Sequence, residues 1–352
     1  IEFKPGDVVR IRLALDEIEG TVLESPKGEI VLLKLKSGYN IGIPKENILG
    51  YEIVKKFKEN KEEFIVPKNK NLPSVGLVVT GGTIASKLDS RTGGVKPLTD
   101  IGEFARFYPE LFDMVSVKEI KIPFMISSES MNSEHWIAIA KSVKELLDDN
   151  EIQGVIVTHG TDFLGYTAAA LSFFLQNLTK PVVLTYSQRS IDRASSDANL
   201  NLQCAARVAI SDAAEVFVVG HASMNDDFCY ALRGTKTKKM HSSRRDAFKS
   251  VNENPIAKVW PDRVEFISKY RSRNNGKTEL DLEFSDKVAL VKFYPGQEKN
   301  IFDFYALSHK GIVIEASGLG HLPVGEAEND WIPTLRKHIR NGFVVCVTSQ
   351  TI

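Results

Sequence analysis

The chain has 352 residues, of which 43% are hydrophobic and 9% aromatic, so it holds enough apolar material for packed domains, and global disorder is excluded. Lysine and arginine together number 45, as do aspartate and glutamate, and this formal net charge of zero lacks the basic excess of a dedicated nucleic-acid binder. No apolar run approaches the roughly 18 residues of a membrane span. The three cysteines, Cys204, Cys229 and Cys346, have no disulfide or zinc-site spacing, and we expect a reducing cytoplasm.

Residues 1–73 are predicted to form a small β-barrel module followed by a linker. Short runs rich in β-branched residues, such as 8–13 and 30–35, alternate with turns of Gly, Pro, Ser and Asn. This alternation, at a spacing of about ten residues, is typical of small all-β domains. Residues 55–70 are dense in Lys, Glu and Asn, which predicts a solvated linker or one final short element.

From residue 74 the pattern changes to continuous apolar runs that alternate with segments of helical periodicity. Such alternation predicts βαβ units and a mainly parallel sheet covered on both faces. The predicted strands are 75–80, 154–158, 181–185 and 215–220. We place this N-terminal α/β domain, with the active site, at residues 74–285.

A C-terminal α/β domain is predicted at residues 286–352, with strands at 287–293, 311–315 and 343–348. Because no closing helix follows the last strand, we expect further sequence beyond Ile352. The predicted fold class is therefore α/β, with a two-subdomain core of parallel sheets preceded by a small all-β barrel.

Two turns at predicted strand ends carry hydroxyl groups. Residues 80–86 (TGGTIAS) follow the first strand, and their glycines permit a tight turn that faces the crevice where open α/β sheets bind ligands. A nucleotide-phosphate turn and a simple turn with a capping threonine are alternative interpretations, although the GxGxxG spacing is absent. Residues 157–163 (VTHGTDF) form the second turn, in which Thr161 or Asp162 could serve only as a helix cap.

A third segment, residues 233–246 (RGTKTKKMHSSRRD), crowds several cations together. Neighbouring cations lower one another's proton affinity, and burial lowers that of a lysine further. A threonine hydroxyl is a poor nucleophile until a base takes its proton, and one of these lysines could be that base. A solvated loop and a local patch for a polyanion are the alternatives.

Together these segments resemble the type I L-asparaginase family. Residues 80–85 are similar to its first signature and residues 159–162 to its second. Further similar segments are 127–132, 195–202 and 318–323. The resemblance extends from about Val75 to the end of the chain. It implies an asparaginase-like core, an acyl-enzyme intermediate, release of ammonia, and no metal or nucleotide cofactor in this chain.

The resemblance also implies roles for individual residues. Four are implied to be catalytic: Thr83 as nucleophile, and Thr161, Asp162 and Lys239 as the group that activates a hydroxyl. Lys236 and Lys238 are the alternatives for the lysine. Four others are implied to bind substrate: Gly82, Ser128, Glu129 and Gly160. The family's mobile loop carries an activating tyrosine that residues 87–97 lack, so Asp89 or Thr92 could substitute, or closure could depend on a partner.

A β module before such a core, together with residues 239–248 (KMHSSRRDAF), resembles the ammonia-releasing subunits of archaeal glutamyl-tRNA(Gln) amidotransferases. That resemblance implies that this chain takes ammonia from Asn or Gln. A partner, the E subunit, would use ATP and Mg to activate Glu on tRNA(Gln), and the ammonia would convert it to Gln. A homodimer within a heterotetramer is expected, with tRNA(Gln) bound mainly by the partner. A free cytosolic L-asparaginase and a non-catalytic amino-acid sensor or scaffold are the alternatives.

Overall fold

The computed structural model describes residues 2–25, 27–37, 39–57, 71–88, 95–98, 100–191 and 193–352. The polypeptide divides into two compact units, Ile1–Asp281 and Leu282–Ile352. Most of the predicted linker lies outside the described residues, and so do Asp89 and Thr92, the two candidates for replacing the family's loop tyrosine. The further division of the first unit at residue 73 stays a prediction.

The N-terminal strands form an antiparallel sheet with its own core. They are β1 (Val8–Arg12), β2 (Glu17–Leu23), β3 (Ile30–Leu35), β4 (Asn40–Pro44) and β5 (Gly50–Lys55). The order is β4-β3-β2-β1-β5. Alternate side chains, among them Val9, Ile11 and Leu33, are buried, because successive residues of a strand point to opposite faces. The predicted all-β segment is confirmed as this five-stranded sheet.

The α/β part of the first unit contains the strands β6 to β19 and the helices α1 to α5. In chain order these are β6 (Ser74–Val79), β7 (Ser86–Leu88), β8 (Val95–Pro97), α1 (Ile101–Phe107), α2 (Pro109–Met114), β9 (Ser116–Lys121), α3 (Ser133–Leu147), β10 (Ile152–Thr158), α4 (Leu164–Phe174), β11 (Leu175–Gln176), β12 (Val182–Thr185), α5 (Ala198–Ala209), β13 (Val216–His221), β14 (Cys229–Arg233), β15 (Thr237–Lys239), β16 (Phe248–Ser250), β17 (Ala257–Val259), β18 (Val264–Phe266) and β19 (Glu279–Leu280).

Eight of these strands form one mixed sheet in the order β18-β17-β14-β13-β12-β10-β6-β9. The five from β13 to β9 pair in parallel, and they include all four strands predicted for this region. The sheet is covered on both faces: Leu77 packs in a cluster with Phe104 and Leu202, whereas Gly76, one residue earlier, faces Leu146 of α3. This two-sided cover explains why these strands are apolar throughout.

The second unit, Leu282–Ile352, holds a parallel three-stranded sheet. Its elements are β20 (Val288–Lys292), α6 (Asn300–Ala306), β21 (Gly311–Ala316), α7 (Ile332–Arg340) and β22 (Val344–Ser349). The strand order is β20-β21-β22, and the core is built around Trp331, Phe302 and Ile314. Within the described residues, no helix is long and apolar enough to cross a membrane.

Candidate active site

The carboxyl ends of β6 and β10 open onto a cleft of about 540 Å³. Seven of the eight predicted site residues line it: Gly82, Thr83, Ser128, Glu129, Gly160, Thr161 and Asp162. They come from three separate segments of the chain, and they meet because neighbouring parallel strands end at the same edge of the sheet. The structure therefore brings the two predicted hydroxyl-bearing turns together around one cavity.

The first turn is shaped by two glycines that occupy the left-handed region, Gly81 at φ 125° and Gly82 at φ 81°. A Cβ on Gly82 would lie 2.7 Å from the carbonyl carbon of His159 and from the nitrogen of Gly160. The two turns thus pack backbone to backbone, which leaves no space for a side chain. Residues Thr83–Ala85 then form a 3-10 turn that leads into β7, so the turn lacks the helix N-terminus on which a nucleotide-phosphate site depends.

Gly82→Ala is expected to lower the free energy of unfolding by at least about 3 kcal/mol, because it adds backbone strain to a clash with another backbone segment. Urea denaturation measures the loss. The matched control is Gly28→Ala, where nothing lies within 4 Å of the added carbon. That substitution should change the free energy by less than about 0.5 kcal/mol. Equal stability of the two variants would contradict the close packing of the turns.

The second turn, residues 159–162, is held by Ser128. The Ser128 side chain is buried, and its Oγ accepts a hydrogen bond of 3.3 Å from the backbone N–H of Phe163. A Cβ on Gly160 would lie 3.0 Å from the same oxygen. Helix α4 starts after Phe163 without a side-chain cap, so neither Thr161 nor Asp162 serves as the helix cap that the sequence allowed. Their side chains face the cleft instead.

His159 is fully buried beneath this turn and supports it from inside. Its Nδ1 lies 2.7 Å from the Gly160 carbonyl oxygen, and its Nε2 lies 2.8 Å from Oγ1 of Thr167. One nitrogen donates to the carbonyl and the other accepts from the hydroxyl, which is the pattern of a neutral imidazole. Desolvation by burial lowers the pKa of His159 from 6.5 to about 4.

This burial predicts a pH dependence of stability. Between pH 6.5 and about 4 the unfolded chain binds a proton at His159 that the folded chain excludes. The contribution of His159 to the free energy of unfolding is therefore complete above pH 6.5. As the pH falls below that value, the contribution decreases by up to about 3 kcal/mol. Urea denaturation of the wild type and of His159→Gln at several pH values measures it. Parallel pH profiles of the two proteins would contradict a neutral buried imidazole.

Lys239 reaches the cleft from a different part of the chain. It ends β15, which pairs with β16 in an antiparallel hairpin. Its Nζ donates hydrogen bonds of 2.8 Å to Oγ1 of Thr161 and of 2.8 Å to Oδ1 of Asp162. The two alternative lysines, Lys236 and Lys238, are exposed. Because neighbouring residues of a strand point to opposite faces, Lys238 turns outward where Lys239 turns inward.

Three residues that line the cleft lie outside every segment singled out from the sequence: Met125 and Ile126, and Ser190 in the loop after β12. The preceding residues of that loop are organised by the buried carboxylate of Asp197, which accepts from the backbone N–H groups of Gln188 and Arg189 at 3.0 Å. The position of this loop in the sequence could have indicated Ser190, because the loop follows β12, a parallel strand that ends at the same edge of the sheet as β6 and β10. The prediction of the site used the ends of β6 and β10 and the segment 127–132, but not the loop after β12.

Family comparisons cover most of the chain. Residues 74–271 match the family model "Asparaginase, N-terminal", and residues 287–352 match "Glutaminase/Asparaginase C-terminal domain". Residues 3–54 match "GatD N-terminal domain". The chain is 49% identical to the D subunit of the glutamyl-tRNA(Gln) amidotransferase of Thermococcus kodakarensis, over 99% of this chain and 80% of that protein. The corresponding protein of Archaeoglobus fulgidus is 43% identical over 99% and 81%.

The chain belongs to the GatD family, the D subunits of glutamyl-tRNA(Gln) amidotransferases. Solved asparaginases share the fold of this GatD family member. The thermostable L-asparaginase from Thermococcus kodakarensis superposes with a TM-score of 0.67 at 29% identity, over 79% of this chain and 80% of the other. A probable cytoplasmic L-asparaginase from Campylobacter jejuni gives 0.63 at 25% identity, over 79% and 84%. The predicted asparaginase-like core is confirmed.

Proposed function

We propose that this chain is the amidase subunit of a glutamyl-tRNA(Gln) amidotransferase and releases ammonia from the side-chain amide of Asn or Gln. The observation that carries this proposal is the position of Lys239 Nζ, 2.8 Å from both Thr161 and Asp162, beside the cleft that Thr83 lines. A hydroxyl nucleophile, a second hydroxyl and a lysine–carboxylate pair around one cavity are the parts that acyl transfer requires.

The reaction starts with attack by Oγ1 of Thr83 on the amide carbon of the substrate. The Thr161, Lys239 and Asp162 group takes the hydroxyl proton and returns a proton to the departing nitrogen. The C–O bond forms, the C–N bond breaks, and ammonia leaves an acyl-enzyme. Water then attacks the ester and releases Asp or Glu. Backbone N–H groups of the two glycine-rich turns stabilise the oxyanion, an interaction worth about 3–4 kcal/mol per donor in other acyl-transfer enzymes.

The segment around the 3-10 turn Ser128–Ser130 binds the substrate. The exposed Glu129 presents its carboxylate to the cleft and would pair with the α-ammonium group of the substrate. The Ser128 hydroxyl, which accepts from Phe163 N–H, keeps its own proton to donate to the α-carboxylate. Gly82 and Gly160 contribute backbone at the point where the substrate would approach.

Activation of the tRNA-bound Glu belongs to a different polypeptide. This chain uses no cofactor, and the partner, the E subunit, uses ATP and Mg to activate Glu on tRNA(Gln). Ammonia from the cleft then converts the activated Glu to Gln. The assembly is a homodimer of this chain within a heterotetramer in the cytoplasm, and the partner makes most of the tRNA contacts. The relatives' shared name, as D subunits of glutamyl-tRNA(Gln) amidotransferases, supports a complex with other amidotransferase subunits.

The test is ammonia release from Asn and from Gln by the chain alone, with the E subunit, and with both the E subunit and Glu-tRNA(Gln). We expect a low rate for the chain alone and strong stimulation by the partner and charged tRNA. If the chain alone released ammonia as fast as it does with the partner and charged tRNA, it would instead be a free asparaginase. No ammonia under any condition would leave a non-catalytic sensor or scaffold and overturn the proposal.

A further inference from the structure

A polar network connects two walls of the cleft through side chains that the reaction above does not use. Its members are Asp197, Asn201, His221, Asp226 and Arg245. At one end Asp197 organises the loop after β12, which carries Ser190 of the cleft. At the other end Arg245 belongs to the hairpin that carries Lys239. His221, the last residue of β13, lies at the centre and is 2% exposed.

The orientation of the Asn201 amide follows from its partners. Its Nδ2 donates to the carbonyl oxygen of Tyr186 at 2.9 Å and to Oδ2 of Asp197 at 3.3 Å, and both of these atoms can only accept. The other atom of the amide, Oδ1, therefore faces His221 and lies 2.6 Å from its Nδ1. An amide oxygen accepts hydrogen bonds and cannot donate them, so Nδ1 of His221 carries a proton.

The second ring nitrogen of His221 also faces an acceptor. Its Nε2 lies 2.9 Å from Oδ1 of Asp226, a carboxylate that in turn accepts 2.7 Å from Nη1 of Arg245. A neutral imidazole carries a proton on only one of its two nitrogens. If His221 were neutral, its other nitrogen would point a lone pair at the lone pair of an acceptor oxygen, which is unfavourable. This arrangement is the opposite of that at His159, where one nitrogen meets an acceptor and the other a hydroxyl donor.

We propose that His221 is held as an imidazolium cation and that, through Asp226 and Arg245, it positions the hairpin that carries Lys239. The functional half of this proposal rests on the proposed function, because it concerns the placement of the lysine in the amidase reaction. The charge of His221 does not depend on that function and can be measured separately.

Several titratable and charged groups lie on the elements packed against His221. On and beside the strands and the helix they are the carboxylates of Asp197 and Asp226, the thiols of Cys204 and Cys229 and the phenol of Tyr186. On the hairpin they are Arg244, Arg245, Asp246 and Lys249, whose Nζ lies 3.5 Å from the carbonyl oxygen of Ala222. Burial raises the pKa of both Cys229 and Tyr186 well above its usual value, so neither adds charge near neutral pH. Asp226 is paired with Arg245, and Asp246 with Arg244 and Lys249. The charge on His221 is therefore assigned from the two acceptors that face its ring nitrogens.

The network is joined to the hairpin at more than one point. Arg245 also donates from Nη2 to the carbonyl oxygen of Met224, and its own carbonyl oxygen accepts 3.0 Å from the hydroxyl of Tyr186. The hydrogen bond from His221 is the largest cause that lowers the pKa of Asp226, so the carboxylate that holds Arg245 is itself stabilised by the ring. Loss of that ring would remove a contact that fixes the Asp226 carboxylate, and it would loosen the placement of Arg245 although the other contacts of Arg245 remain.

The charge is tested by NMR of the full chain labelled with ¹⁵N-histidine, near neutral pH. We expect a ring with both nitrogens protonated whose signal is absent from His221→Gln and retained in His309→Gln, a control in the second unit. Should the Gln variant fail to fold, Asp226→Asn keeps the ring and gives Nε2 an amide that can donate to it, so its spectrum should show a ring with a single proton. A His221 ring with a single proton near neutral pH would overturn the proposal.

Positioning is tested by the kinetics of ammonia release with the partner and charged tRNA present. His221→Gln should lower kcat by about 10- to 100-fold with KM for the amide donor nearly unchanged, because the lysine is misplaced and the substrate contacts remain. A doubly protonated ring together with wild-type kcat in His221→Gln would overturn the positioning role. If the wild type itself releases no ammonia, the proposed function fails, while the NMR result still decides the charge of the ring.

Discussion

Thr83→Ala should reduce ammonia release from Asn and Gln by at least about 10³-fold, because it removes the oxygen that forms the acyl-enzyme. The Thr83 side chain is partly exposed at the start of a 3-10 turn. Its loss should therefore leave the free energy of unfolding within about 0.5 kcal/mol of the wild-type value. Ammonia is measured with the partner and charged tRNA present, so that a low basal rate cannot hide the effect.

Two controls accompany this substitution. Thr83→Ser keeps the nucleophilic oxygen and should retain far more activity than the alanine variant. Mass spectrometry of protein quenched during turnover should find the acyl adduct on the wild type and not on Thr83→Ala. An alanine variant that releases ammonia at the wild-type rate would show that another group attacks the amide, or that the cleft is not the site.

The second large effect is expected at Lys239. Lys239→Gln removes the ammonium group that lies 2.8 Å from Thr161 and Asp162, and it should lower kcat by about 10²- to 10⁴-fold, the range for loss of a proton-transfer group. The glutamine keeps much of the side-chain length and its polarity, so the hairpin should still form. Steady-state kinetics at saturating donor measures the loss.

The hairpin itself supplies the matched control. Lys238→Gln removes the same charge one residue earlier, on the outward face, where Lys238 stands opposite Lys249. It should leave kcat unchanged. It should not destabilise the protein, because it removes one of two like charges, Lys238 and Lys249, that face each other across the strands. Equal losses of kcat in the two variants would mean that general positive charge, and not contact with Thr161, is what the reaction needs.

Much of the site could be predicted because its parts are local. Continuous apolar runs are typical of strands buried on both faces, and glycine with threonine directly after such a run indicates a turn at the ligand-binding edge. The turns at 80–86 and 157–163 could therefore be placed at one edge from the residue pattern alone. The antiparallel strands from β14 to β19 were not predicted, since strands of two to five residues carry too little periodicity to recognise.

The sequence by itself determined the α/β core, the N-terminal β segment and the two turns that carry Thr83 and Thr161, because strand burial and turn chemistry depend on neighbouring residues. Only the tertiary structure decided which of three clustered lysines enters the cleft, since that depends on the register of β15 against β16 and on partners far away in sequence. The same holds for His221: its two acceptors come from separate segments, and a proton is assigned only once both are in place.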